Sequence, residues 1–179
     1  MIREIIVMNR FHADLMVKGL EKPPSDRWWL ISIYGWPDKP LLNSFTEPMA
    51  EKAGCMGHIT LNFGDITPEK LKTAQKLYPE NAKSMILFGK NHARQIIDFT
   101  DKIHASKDEG DLIVHCHAGI SRSGAVAMFV HHRTGIDFYD SEINPNKHIT
   151  KVLEETAGIG YTEQARIKKK EILWKNTSK

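Results

Sequence analysis

Short apolar runs alternate with longer segments of helical periodicity along this chain. The runs are rich in β-branched and aromatic residues, which predicts buried strands, and they cover residues 5–8, 28–34, 58–63 and 112–114. Apolar residues at helical spacing predict helices over residues 13–20, 68–78, 92–106, 122–134, a segment starting at Asn144-Pro145, and 162–174. This alternation predicts an α/β fold with a central, mainly parallel sheet flanked by helices on both faces.

The helical segments differ in how much of their surface is apolar. Segment 122–134 is apolar nearly all round, which predicts burial against the sheet, and Gly135 is its stop signal. Three other segments have apolar residues at helical spacing, namely Leu71, Ala74, Leu77 and Tyr78 in the first, Ala93, Ile96, Ile97, Thr100 and Ile103 on one face of the second, and Ile149, Val152 and Leu153, expected to face inward, in the third. Residues 35–57 lack clear periodicity, so we expect an exposed connection there.

Composition narrows the class of protein. A chain of 179 residues with 41% hydrophobic and 26% charged residues is typical of a single globular domain over residues 1–179. No apolar run has transmembrane length, and a net charge of +3 gives no sign of a nucleic-acid partner. The start lacks a secretory pattern and there are only two cysteines, which favours a cytoplasmic location.

The densest candidate chemistry lies between strand 112–114 and helix 122–134. A tight turn at a helix start presents N–H groups and the positive helix end, which together favour an anion. A thiolate is also stabilised there, so Cys116 is expected to be an ionised nucleophile near neutral pH. Arg122 can grip two oxygens of an oxyanion, while Ser121 and Ser123 can hydrogen-bond the sulfur.

The sequence His-Cys-x-Ala-Gly-Ile-Ser-Arg-Ser, residues 115–123, resembles the phosphate-binding loop of the cysteine-dependent protein tyrosine phosphatase superfamily, and most closely its dual-specificity branch. We call residues 116–122 the cysteine loop. The resemblance implies that the loop residues bind the substrate phosphate, namely His117, Ala118, Gly119, Ile120, Ser121 and Arg122, with His115 in support. Neighbouring residues on a strand end point apart, so zinc ligation by His115, Cys116 and His117 is not expected.

Phosphoester cleavage also needs a general acid, and the cysteine loop contains none. In the resembled family an upstream aspartate has this role, and Asp38 and Asp65 are the candidates. Asp38 belongs to a Trp-Pro-Asp tripeptide that names the acid loop of tyrosine-specific phosphatases, but it lies 78 residues before Cys116. Asp65 lies 51 residues before it and directly follows a predicted strand. Chain order therefore favours Asp65.

The resulting hypothesis is a protein tyrosine or dual-specificity phosphatase that works through a phosphocysteine intermediate. Its catalytic residues would be Cys116, Arg122, Asp65 and Ser123, with no metal or organic cofactor, and its partner would be a phosphorylated protein or peptide. Two alternatives stay open. One is a phosphate-recognising module without a working acid, and the other is a thiolate-based sulfurtransferase or arsenate reductase, for which Cys55 is the available second cysteine.

Overall fold

The computed structural model describes residues 1–35, 54–138 and 142–158. In these ranges four strands form one sheet, namely β1 (Ile2–Asn9), β2 (Trp28–Tyr34), β3 (Cys55–Asn62) and β4 (Gly110–Cys116). The helices in the same ranges are α1 (Arg10–Val17), α2 (Pro68–Leu77), α3 (Pro79–Ala82), α4 (Lys90–His104), α5 (Arg122–Thr134) and α6 (Lys147–Ala157). The predicted helix over residues 162–174 lies outside the described residues.

The four strands are all parallel and lie in the order β1-β4-β2-β3. Every residue of β4 is buried, because this strand has a neighbour on each side and helices above and below. The predicted α/β architecture with a parallel sheet is therefore confirmed. In such a sheet all carboxyl ends meet at one edge, where ligands bind.

Alternate side chains of the strands point to opposite faces of the sheet and form two cores. The larger core packs β-strand residues such as Ile31 and Val114 against the apolar faces of α4, α5 and α6. The smaller core lies on the other face, where Met16 and Val17 of α1 contact Trp28. Helix α5 buries most of its first nine residues, as its apolar sequence predicts.

Several predicted boundaries shift in the structure. Helix α6 begins at Lys147 rather than near Asn144, because the side chain of Asn146 accepts hydrogen bonds from the first helical N–H groups and caps the helix there. Strand β3 starts three residues before the predicted position, so Cys55 belongs to the sheet and not to the connection. The predicted helix over 68–78 is present as α2, but none of its residues is buried.

Candidate active site

The cysteine loop lies at the carboxyl end of the central strand. Cys116 is the last residue of β4 and pairs with Asn9 at the end of β1. Arg122 is the first residue of α5, so residues 117–121 turn the chain directly from the sheet into the most deeply buried helix. The loop thus joins two rigid elements at the edge where ligands of parallel sheets bind.

Neighbouring segments hold the loop through its carbonyl oxygens. The carbonyl of His117 accepts from the N–H of Arg10 at 3.1 Å, and those of Ile120 and Ser121 accept from Asn144 and Asn146 at 3.2 Å each. In a planar trans peptide the N–H points away from the C=O. The next N–H groups along the chain, which belong to Ala118, Ser121 and Arg122, therefore point away from these outer partners, as an anion cradle requires.

Gly119 allows the loop to bend against the end of β1. Its φ angle of 77° lies in the left-handed region, which side chains disfavour. A Cβ atom at this position would lie 2.8 Å from the backbone nitrogen of Asn9. Both the backbone angle and the close approach to β1 thus require glycine.

The thiol of Cys116 is buried and contacts a neighbouring hydroxyl. Its Sγ lies 3.1 Å from the Oγ of Ser123, which is itself inaccessible to solvent. A hydroxyl at this distance can donate a hydrogen bond to a thiolate. Among the residues of the loop and its flanks, Ser123 is therefore the one placed to stabilise negative charge on the sulfur.

Arg122 points its guanidinium group back toward the sheet. Only 6% of the residue is exposed, and Nη1 donates to the carbonyl oxygen of Phe63 at 3.1 Å. Phe63 directly follows β3, so this bond fixes the side chain relative to the carboxyl edge of the sheet. A buried, oriented guanidinium can bind two oxygens of a phosphoryl group in a defined geometry.

Asp65 lies beside the cysteine loop, two residues after Phe63. Its Oδ1 accepts hydrogen bonds from Ser121 Oγ at 2.9 Å and from Asn146 Nδ2 at 2.7 Å. The hydroxyl of Ser121 therefore contacts the carboxylate and not the sulfur, which corrects the sequence-based expectation for this serine. Asp65 is exposed, so a bound substrate can reach it. Asp38 lies outside the described residues.

His115 supports the site from within the sheet. Its Nε2 lies 2.8 Å from Ser32 Oγ, which links β4 to β2. Burial lowers the pKa of His115 to about 4, because a charged imidazole loses its hydration there. The ring is thus neutral at physiological pH, and it contributes a hydrogen bond to the scaffold rather than a charge.

The remaining predicted loop residues are exposed. His117 and Ala118 are exposed, and Ile120 is exposed by 36%. Asn146 was missed by the sequence analysis, although it links the helix start, the loop and Asp65. The signal for it was the Asn-Pro-Asn run before α6, which we interpreted only as a helix start.

The described part of the chain contains no group of three or more His, Cys, Asp and Glu side chains arranged to hold a metal ion. Nor does any helix within it have the length and apolar character needed to cross a bilayer. Cys55 and Cys116 are both free thiols. They lie at opposite ends of the sheet, about 16 Å apart along the strand direction and about 10 Å across it, by standard strand spacings.

A parallel α/β sheet whose central strand ends in a buried cysteine, followed by the turn 117–121 and a buried arginine, is the arrangement that the resemblance to the cysteine-dependent phosphatases implies. The family model for protein-tyrosine phosphatase matches residues 80–151, which include the whole cysteine loop. This match confirms the resemblance to the cysteine-dependent protein tyrosine phosphatase superfamily and supports phosphatase activity in general. No curated protein matches the chain.

Proposed function

We propose that the protein hydrolyses phosphomonoesters of proteins through a phosphocysteine intermediate. The observation that carries this proposal is the position of Asp65, whose carboxylate is hydrogen-bonded to Ser121 within the cysteine loop. A carboxyl group this close to the cysteine loop is expected in a catalyst and is not needed in a module that only binds phosphate. It supplies the proton donor that the cysteine loop itself lacks.

In the first step the thiolate of Cys116 attacks phosphorus. An S–P bond forms while the bond from phosphorus to the leaving oxygen breaks, and Asp65 transfers its proton to that oxygen. Arg122 and the inward N–H groups of the loop bind the nonbridging oxygens, so charge that redistributes in the transition state meets donors already in place. The helix start contributes its positive end to the same oxygens.

In the second step water attacks the phosphocysteine. The carboxylate of Asp65 accepts a proton from this water, the S–P bond breaks, and the electron pair returns to sulfur. Ser123, 3.1 Å from Sγ, donates a hydrogen bond to the departing thiolate and makes it a better leaving group. Inorganic phosphate then leaves, and the enzyme returns to its starting state without a metal or organic cofactor.

The substrate class follows from the side chains of the loop. Ala118, Gly119 and Ile120 offer no additional cation, so the loop is not built for a multiply phosphorylated inositol ring. We assign phosphotyrosine proteins as preferred substrates, with phosphothreonine accepted more weakly, and place the reaction in the cytoplasm. A panel of phosphopeptides and phosphoinositides tests this, and faster turnover of an inositol phosphate than of every phosphopeptide would contradict it.

The redox alternative has less support. A thiolate-based reductase needs a second thiol that can reach the first, and Cys55 begins β3 whereas Cys116 ends β4. In a parallel sheet these positions lie at opposite edges. A Cys55→Ser variant with unchanged turnover of phosphoesters would remove redox cycling from consideration.

Turnover of a generic aryl phosphate by the purified protein tests the proposed function. We expect activity that vanadate inhibits competitively, and essentially none in the Cys116→Ser and Arg122→Lys variants. Serine is not ionised near neutral pH, and lysine cannot form the bidentate contact of a guanidinium. Both variants should fold, as judged by thermal melting. Full activity in Cys116→Ser would refute the nucleophile assignment.

A further inference from the structure

The carboxylate of Asp65 is bound asymmetrically. Both of its hydrogen bonds end on Oδ1, one from Ser121 Oγ at 2.9 Å and one from Asn146 Nδ2 at 2.7 Å. A carboxylate oxygen has two lone-pair sites, so two donors at these distances occupy Oδ1 fully. A proton on this carboxyl group is therefore placed on Oδ2.

The direction of the Asn146 amide is fixed by helix α6. Its Oδ1 accepts hydrogen bonds from the N–H groups of His148 and Ile149 at 2.9 and 3.2 Å, and thereby caps the helix. The other end of the amide, Nδ2, must then face Asp65, so it can only donate. The backbone N–H of Asn146 also donates to the carbonyl of Ser121, which fixes the residue to the cysteine loop.

The hydroxyl of Ser121 is similarly committed to Asp65. Ser121 is the N-cap residue of α5, yet its side chain makes no capping hydrogen bond. Serine at this position usually caps the helix with its hydroxyl oxygen. Here the hydroxyl donates to the carboxylate, and the helix start stays open toward the position of the phosphate.

We propose that Ser121 and Asn146 are positioning residues that hold Oδ1 of Asp65 and so assign the catalytic proton to Oδ2. The inference rests on the proposed function, in which Asp65 is the general acid. In the first step the proton passes from Oδ2 to the leaving oxygen, and in the second step Oδ2 receives a proton from the attacking water. Throughout, Oδ1 keeps its two donors and the carboxyl group its orientation.

Two variants remove these donors with little other change. Ser121→Ala deletes a hydroxyl that does not cap its helix, and Asn146→Ser keeps a good capping residue but is too short to reach Asp65. Ser106→Ala is the control, because it also deletes a hydroxyl, whose two exposed hydrogen bonds join it to the N–H and the carboxylate of Asp108 beyond the C-terminus of α4. Each variant is assayed with two substrates. Phenyl phosphate has a poor leaving group, whose oxygen needs a proton, whereas dinitrophenyl phosphate has a leaving group that departs without one.

We expect kcat of both positioning variants to fall about tenfold with phenyl phosphate and much less with dinitrophenyl phosphate. The tenfold loss is a part of the rate enhancement of about 10²–10⁴-fold that a general acid supplies. In the Asp65→Asn background neither change should cause a further loss, since there is no proton left to position. Ser106→Ala should behave as the unmodified protein, and melting temperatures check that all variants fold.

Other outcomes separate the two proposals. If Asp65→Asn discriminates between the substrates but Ser121→Ala and Asn146→Ser do not, the positioning role is refuted while the general acid stands. If the variants lower turnover of both substrates equally, their role is structural and the inference fails. If Asp65→Asn itself affects both substrates equally, the assignment of the acid is wrong, and the positioning role fails with it.

Discussion

Cys116 and Arg122 are both nearly inaccessible to solvent, and each side chain is in hydrogen-bond contact with a neighbouring group. Sγ contacts Ser123 Oγ, and the guanidinium donates to the carbonyl of Phe63. In the proposed mechanism, groups held in this way need little reorganisation when charge develops on the phosphoryl oxygens, which is the main contribution of a preorganised site to catalysis. The carboxylate of Asp65, the proposed general acid, is exposed and contacts Ser121 of the loop.

The Asp65→Asn variant tests the general acid. We expect turnover of a poor leaving group to fall about 10²-fold or more, because the amide cannot donate a proton to the leaving oxygen, while inhibition by vanadate is unchanged. The amide keeps an oxygen for Ser121 and Asn146, so the local structure should be retained. The turnover rate of this variant should also no longer fall at high pH.

Asp38→Asn is the matched control for this experiment, since it makes the same change at the other candidate aspartate. We expect neither a loss of turnover nor a change in the pH profile. A large loss in Asp38→Asn together with near-normal activity in Asp65→Asn would reverse the assignment.

Residue types and spacing predicted most of the side chains that the structure brings together around the cysteine loop, but not how they contact one another. The spacing of Cys116 and Arg122 predicts the loop, and the position of Asp65 after a strand predicts the edge at which it lies. The sequence offers the hydroxyl of Ser121 two possible acceptors, the sulfur of Cys116 and the carboxylate of Asp65, and cannot decide between them. Asn146 was missed because a cap residue is ordinarily explained by its helix alone.

At the level of elements, the turn from β4 into α5 depends on Gly119. An alanine in the left-handed region costs about 1–2 kcal/mol of stability. We expect Gly119→Ala to cost more than this, because the new Cβ would also meet the backbone of β1. Phosphatase activity should fall with it, since the loop cannot keep its shape. Urea denaturation and steady-state turnover measure the two effects.

Gly135→Ala is the control for Gly119→Ala. Gly135 has nearly the same φ angle, 75°, but nothing lies within 4 Å of a Cβ there, at the far end of α5. It should show only the cost of the backbone angle, with activity retained. Equal destabilisation and equal activity in the two variants would mean that the contact with β1 is unimportant.

The buried His115, whose ring contacts Ser32 across β4 and β2, predicts how the free energy of unfolding depends on pH. Burial lowers the pKa of His115 to about 4, against about 6.5 in an unfolded chain. Between these values the unfolded state binds the extra proton, so the free energy of unfolding should fall as pH falls from about 6.5 to 4, by about 3 kcal/mol in total. Urea denaturation across this range measures it.

The His115→Gln variant isolates this contribution. Glutamine can keep the hydrogen bond to Ser32 but does not titrate, so the fall in stability between pH 6.5 and 4 should become shallower. The half-buried His92, whose pKa is also lowered by burial, leaves a smaller residual slope. An unchanged slope in His115→Gln would show that this histidine is not the group that titrates.

Periodicity predicted the elements best where burial is strongest. Helix α5 and strand β2 have the predicted boundaries, because unbroken apolar sequence and a glycine stop leave few alternatives. Helix α2 has an apolar face of the same spacing, yet Leu77 and Tyr78 are exposed by 60% and 63%. A 3.6-residue period identifies a helix, but it does not establish that another element covers its apolar face.

For the molecule as a whole, the parallel sheet explains why residues far apart in sequence meet. Asp65 follows β3, Cys116 ends β4, and Asn146 precedes α6. The arrangement of the strands brings all three residues to one edge of the sheet. Sequence predicted this edge from the α/β alternation. The same topology places Cys55 at the opposite edge, which sequence alone could not establish.

Direct detection of the phosphocysteine tests the account most sharply. Ser123→Ala should slow the second step, because the departing thiolate loses its hydroxyl donor, so the intermediate accumulates during turnover of an aryl phosphate. After acid quenching, mass spectrometry should find one phosphoryl group on the peptide that contains Cys116, and none in Cys116→Ser. Rapid turnover with no phosphoryl group on that peptide, or with one on another residue, would contradict the proposed mechanism.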